Sequence, residues 1–200
     1  MRIGTYEYDF SWARVVSDLF SPPVIWGVLA LPIAFRDAES LNQAITWATV
    51  YIMLVCVLPI AYIGAMVKFG KITDIHMKVR KQRILPFLIS MVSTSIAWLV
   101  LRLMGAPAIM PLLAMFSLVQ LAVMLGITFV WQISVHAISI SGATIAMWFF
   151  FGVIPAILTL PFIVLVGAAR LKLRRHTPAQ VIAGAMIGLV VPMLLFLLIV

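Results

Sequence analysis

Residues 137–169 read AISISGATIAMWFFFGVIPAILTLPFIVLVGAA, without one Asp, Glu, Lys or Arg. At about 1.5 Å rise per residue a helix of that length would reach roughly 50 Å, well beyond a hydrocarbon core of about 30 Å. The stretch therefore predicts two apolar helices, with Gly152, Pro155 and Pro161 as the places to bend. It also lacks the period-two alternation of a membrane barrel strand.

Composition agrees with a membrane helix bundle. Of 200 residues, 64% are hydrophobic and 10% charged, and the mean hydropathy is +1.19. Fourteen basic and six acidic side chains are too few to cover a soluble domain of this size, so lipid is the implied solvent. In lipid the backbone must satisfy its own polar groups, which leaves helices or a closed barrel. The expected fold is an all-α polytopic transmembrane bundle with six or seven apolar segments.

Working outward from residues 137–169, the break Gln132-Ile133-Ser134-Val135-His136 precedes them and an apolar helix over 108–131 precedes the break. Gly105-Ala106-Pro107 turns that helix tightly from another over 84–104. The polar loop KFGKITDIHMKVRKQR (68–83) connects back to a long helix over 43–67. Before a polar turn at 36–42 lies a short apolar helix, 22–35, entered through Pro22 and Pro23. Fourteen residues are brief for a span, so the total is seven if this helix crosses and six if it does not.

Residues 1–21 carry Tyr6, Tyr8, Phe10, Trp12 and Phe20 among Glu7, Asp9 and Asp18, and read as an interfacial amphipathic segment. That mixture does not read as a cleavable signal peptide. The bundle proper occupies 22–200. On the other side of 137–169, the basic loop RLKLRRH (170–176) leads to the last helix, with Thr177 as its cap and Pro178 at its first position. No internal repeat or low-complexity linker is evident. Cys56 stands alone in an apolar segment, which excludes an intrachain disulfide and reads as a small buried hydrophobe. Gln120, in mid-helix, is expensive in lipid and is expected to face another helix. Ser90, Ser93, Thr94 and Ser95 are expected to make interhelical hydrogen bonds, and Asp74 to pair with a nearby lysine.

Seven crossings put the N-terminus, the 68–83 loop, the 132–136 break and the 170–176 loop on one face. That face would hold Arg2, Arg14, Lys68, Lys71, Lys78, Arg80, Lys81, Arg83, Arg170, Lys172, Arg174 and Arg175, against Arg36 and Arg102 on the other. The positive-inside rule makes the rich face cytoplasmic, and the expected location is a prokaryotic inner (plasma) membrane. The formal net charge of +8 raises the question of nucleic acid, but its carriers flank apolar segments, so an anionic headgroup or phosphate is the better partner.

The same parity gathers three polar clusters: His76 to Arg83, Ser134 with His136, and Arg170 with His176. Together they hold all three histidines of the chain. Arginines beside histidines at helix ends suit phosphoryl transfer, in which cations neutralise the oxygens, one imidazole attacks and another protonates the leaving group.

On these residues the sequence resembles a divergent type 2 phosphatidic acid phosphatase, a family within the lipid phosphate phosphatase and vanadium haloperoxidase superfamily. The family carries Lys-x6-Arg-Pro, then Pro-Ser-Gly-His, then Ser-Arg-x5-His-x3-Asp. The third signature matches best, as Arg170, five residues, His176, three residues and Gln180, followed by Val181, Gly184 and Gly188. The second survives as Ile133-Ser134-Val135-His136, without the proline and glycine. In the first, Arg83 holds the arginine position, His76 stands seven residues before it and Pro86 comes two late, with Lys78 able to supply the missing cation. The resemblance covers roughly 60–190.

It implies roles for each residue. His176 is the expected nucleophile, forming a phosphohistidine, and His136 the acid that protonates the departing lipid oxygen. Arg83, Arg170, Lys78 and His76 are the expected phosphate clamp, with a hydrogen bond from Ser134. Gln180 takes the place of the aspartate that orients the nucleophile. No metal or other cofactor is implied. The implied substrate is a lipid or isoprenoid phosphate: phosphatidate, a lysolipid phosphate, or a polyprenyl phosphate or diphosphate. Homo-oligomers are compatible with this reading. The substitution at Gln180 equally fits a catalytically silent relative that binds anionic lipid or organises other membrane proteins. A prenyltransferase would need paired aspartate-rich motifs, which Asp9, Asp18, Asp37 and Asp74 do not form. A channel or transporter would more often carry ionisable groups within its spans.

Overall fold

The computed structural model describes residues 11–199, so the interfacial reading of Tyr6, Tyr8 and Phe10 lies outside the described residues. Within them the chain is all-α, with no strand. A short helix α1 (Trp12–Leu19) is followed by α2 (Pro22–Arg36), α3 (Leu41–Tyr51), a π-helical turn (Ile52–Val57) and α4 (Leu58–Lys68). After a 3-10 turn (Arg80–Arg83) come α5 (Ile84–Leu103), α6 (Ile109–Thr128), α7 (Val135–Phe151), α8 (Val153–Lys172) and α9 (Pro178–Ile199). Five helices, counting Leu41–Lys68 as one, are long and apolar enough to cross a membrane, and α1 with α2 forms a pair bent by 49° that passes the same test together. The protein is an integral membrane helix bundle.

The seven expected segments are all present, and the break in 137–169 falls at Gly152. Its φ of 91° is open to glycine alone at little strain, so α7 stops there and α8 starts. Neither proline breaks the chain. Pro155 sits in the first turn of α8, where its missing N–H has no intrahelical partner to lose, and Pro161 lies inside α8. The helix expected to reach residue 131 stops at Thr128, where Arg80 donates to the carbonyls of Thr128 (3.1 Å) and Phe129 (2.6 Å) and draws the chain aside. Arg36, one of the two cations on the opposite side, donates to the Phe150 carbonyl and closes the last turn of α7.

α7 is the centre of the bundle, packed between α8 and α9 and touching α2, while α5 pairs with α6. Small residues allow this. A Cβ on Gly184 would lie 2.8 Å from the Ser134 carbonyl oxygen, and one on Gly188 2.9 Å from the Ile138 Cα, so α9 lies directly on the α7 backbone. Gly142 gives the same close approach to Gln120 of α6, which is buried between helices as its polarity requires. Cys56 is buried too, in the π turn against α2 beside Gly27. The interhelical hydrogen bonds expected of the three serines and one threonine of α5 are not made among the described residues. Ser90, Ser93 and Ser95 donate to carbonyls of their own helix, and Thr94 is buried with no hydrogen-bond partner for its hydroxyl among the described residues.

Candidate functional site

One end of the bundle collects the start of α2, the segment 69–83, the segment 129–134 and the α8–α9 connection, the grouping that the charge pattern predicts. Into that end opens a cavity of about 510 Å³ whose wall includes His76, Arg83, His136, Arg170 and His176. Five of the eight residues expected at the site thus meet in one place.

Each is held by local geometry. Ser134 caps α7 by accepting from the Ala137 N–H (3.3 Å), which fixes His136 in the first turn, and the Ser134 N–H donates to the Gln180 carbonyl (3.1 Å). The two motifs are thereby tied together across the α7–α9 contact. Arg83 is 4% exposed and donates to the carbonyls of Met77 (2.9 Å) and Ile133 (3.2 Å), joining the first motif to the second. Asp74 accepts from the backbone N–H of His76 (2.8 Å) and of Lys78 (3.3 Å) and lies 3.5 Å from Arg175. Its charged partner is therefore an arginine of the third motif, where a lysine was expected. Among the described residues two non-glycine residues adopt positive φ, Met77 (48°) and Arg174 (50°), each within two residues of a cavity histidine. Such strain persists where surrounding contacts hold it. At Arg174 it reverses the chain after α8, with the Arg175 N–H returning to the Arg170 carbonyl (3.1 Å), and carries His176 back over the helix end.

Gln180 orients His176. Thr177 and Gln180 form a capping box at the start of α9: the Gln180 N–H donates to Thr177 Oγ1 (3.4 Å) and the Thr177 N–H to Gln180 Oε1 (3.1 Å). The backbone donor fixes which end of the amide is oxygen. That same Oε1 lies 3.2 Å from His176 Nδ1, so Nδ1 carries the proton and Nε2 keeps its lone pair.

Two expected residues stand elsewhere. Lys78 is exposed and absent from the cavity wall, because its loop turns it outward while Asp74 holds its backbone. Ser134 is fully buried and its hydroxyl is engaged by the α7 cap rather than facing the cavity. In their place α1 brings residues that the motifs do not contain: Arg14, Ser17 and Asp18. Arg14 and Asp18 line the cavity. Ser17 is wholly buried; its Oγ accepts from Arg170 Nη1 (2.6 Å), and His136 Nε2 lies 3.1 Å from its carbonyl oxygen and 3.4 Å from Oγ. The available signal was the helical spacing of the small residues Ala13 and Ser17, which face in, while Trp12, Val15 and Leu19 face out.

Burial, reinforced by the basic surroundings, keeps the loop histidines neutral. Burial, then Arg170 and Arg175, lower the His76 pKa to about 4, against a smaller opposing effect of Asp18 and Asp74. Burial, then Arg170 and Arg83, lower His176 to about 4, with the Gln180 hydrogen bond opposing. The unfolded chain, with histidines near 6.5, takes up protons that the folded one refuses, so stability is full above pH 6.5 and falls as pH drops toward 4. An anion held by the arginines should raise both values. Titration of ¹³C-histidine-labelled protein by NMR should find His176 neutral down to about pH 4; a midpoint near 6.5 would contradict this geometry.

Among the described residues no group of three or more His, Cys, Asp or Glu side chains is placed to hold a metal ion. Comparison with known protein families, with curated proteins and with solved structures finds no match to this chain.

Proposed function

We propose that this membrane protein is a divergent type 2 phosphatidic acid phosphatase that hydrolyses a lipid phosphate through His176. The observation that carries the reading is the single cavity in which three histidines and two buried arginines, separated by up to about a hundred residues in sequence, share one wall that continues into apolar helix faces. The phosphate sits between Arg83 and Arg170, and the lipid tail lies against Trp26, Ile60 and Phe87.

His176 Nε2 attacks phosphorus, the bond from phosphorus to the lipid oxygen breaks, and His136, protonated from solvent to the imidazolium, gives one proton to that oxygen and becomes neutral. Water then attacks the phosphohistidine with His136 as base, the P–N bond breaks, and inorganic phosphate leaves. Gln180 keeps the proton on Nδ1 through both steps. The positive-inside rule assigns the basic end to the cytoplasm. Phosphate release from phosphatidate, lysophosphatidate and polyprenyl (di)phosphates by purified protein, with and without chelator, tests the proposal. Histidine-dependent release supports it; none across the panel and a range of pH sinks it.

One observation favours a silent, anionic-lipid-binding relative: Ser17 already engages both Arg170 and His136. A phosphoryl oxygen must displace it. In an active enzyme Ser17→Ala removes the hydroxyl from Arg170 and leaves the backbone carbonyl at His136 in place, so KM should fall by up to about ten-fold with kcat little changed. In a silent relative the same variant tightens lipid binding and releases no phosphate.

A further inference from the structure

Beyond the histidines the cavity wall carries a polar stripe inside apolar surroundings. Ser139 lies one turn past His136 on α7, and Gln120 and Ser117 follow on α6. Ser117 is satisfied: its Oγ lies 2.8 Å from the Tyr51 hydroxyl and donates to the Leu113 carbonyl at 3.2 Å. Gln120 is not. It is 3% exposed, and its Nε2 is buried with no hydrogen-bond partner among the described residues. Its amide rests on Gly142, where any side chain would collide with it. An unpaired buried –NH₂ in a lipid bundle is a standing cost that hydrocarbon cannot relieve. Nor does packing require it, since a leucine fills similar space.

The position identifies what would relieve it. Gly142 follows His136 by six residues, so Gln120 lies about 9 Å further along α7 than the acid histidine. A glycerol unit and its first ester linkage span such a distance from the phosphate. Gln120 is part of the cavity wall, and a half-turn about its terminal torsion, which is a broad two-fold well, exchanges the positions of its –NH₂ and oxygen.

We infer that Gln120 is a specificity-determining residue that donates to the carbonyl oxygen of an ester-linked acyl chain, so the substrate is an acylglycerol phosphate and not a polyprenyl phosphate. This rests on the phosphatase reading above. A polyprenyl chain places only hydrocarbon against Gln120 and leaves the N–H unpaired, which disfavours it.

The test compares diacylglycerol phosphate with its dialkyl-ether analogue of equal chain length, which differs by the carbonyls alone, using the full chain in detergent. The native protein should favour the diacyl lipid by about ten-fold in kcat/KM. In Gln120→Leu the diacyl rate should fall to the ether rate, with the ether rate unchanged. Without lipid, this variant should melt at or above the native midpoint, because it removes an unpaired polar group. Equal native rates, or a preference that survives in Gln120→Leu, would overturn the inference and leave the phosphatase reading intact. If the native protein releases phosphate from neither lipid but does so from a polyprenyl phosphate, the inference is overturned and the phosphatase reading stands; if it releases phosphate from none of them, the phosphatase reading fails. Thermal stabilisation by each lipid then still reports the carbonyl contact: a larger shift with diacyl lipid, lost in Gln120→Leu, supports it, and equal shifts overturn it.

Discussion

His176→Ala is expected to lower phosphate release by on the order of 10³-fold or more while the protein remains folded. In the proposed mechanism the His176 ring is the group that attacks phosphorus. Among the described residues, His176 is the cavity histidine whose Nδ1–H has a side-chain acceptor, Gln180 Oε1, that directs its Nε2 lone pair. Structure should survive because Gln180 remains locked to Thr177 by the capping box, and the α7–α9 contact runs through the backbone. Steady-state release beside a thermal melt separates the two effects. Loss of activity with a melting midpoint within a few degrees of native is the expected pattern; retained activity would remove His176 from the mechanism.

Gly188→Leu should have the largest effect on stability, about 3 kcal/mol. The new Cβ alone would overlap the Ile138 carbonyl and sit 2.8 Å from Ser141 Cβ, and the rest of the side chain has only the α7 backbone to meet. The helices must separate, which also pulls the Gln180 carbonyl from the Ser134 N–H and disturbs His136. Gly64→Ala is the control. An added Cβ there meets nothing within 4 Å, so the change should stay within about 1 kcal/mol, on the stabilising side. Thermal or chemical unfolding in detergent measures both; a Gly188→Leu midpoint equal to native would contradict the packing described.

Residues 137–169 made the architecture legible, because apolar length against bilayer thickness is a one-dimensional constraint and Gly152 is a local one. Much of the site was legible for a related reason. Parity of crossings is enough to bring Arg83, His136 and His176 to one end without any knowledge of packing. Ser17 and Lys78 were not readable in the same way. Ser17 acts through a helix of eight residues that packs on α8, a tertiary event with only a two-residue small-side-chain trace in the sequence. Lys78 satisfied a charge count but not a direction, which Asp74 and the positive φ at Met77 decide. Gln120 was legible as a buried polar group, but its place on the cavity wall depends on how α6 meets Gly142.

A covalent step on one imidazole stands at the centre of the proposed mechanism, and rapid quenching reads it most directly. Native protein mixed with ³²P-labelled diacylglycerol phosphate and stopped in alkali should carry label that survives base, is released by mild acid, and is absent from His176→Ala. Label that appears equally in the variant, or phosphate release with no labelled protein at any quench time, would contradict nucleophilic attack by His176.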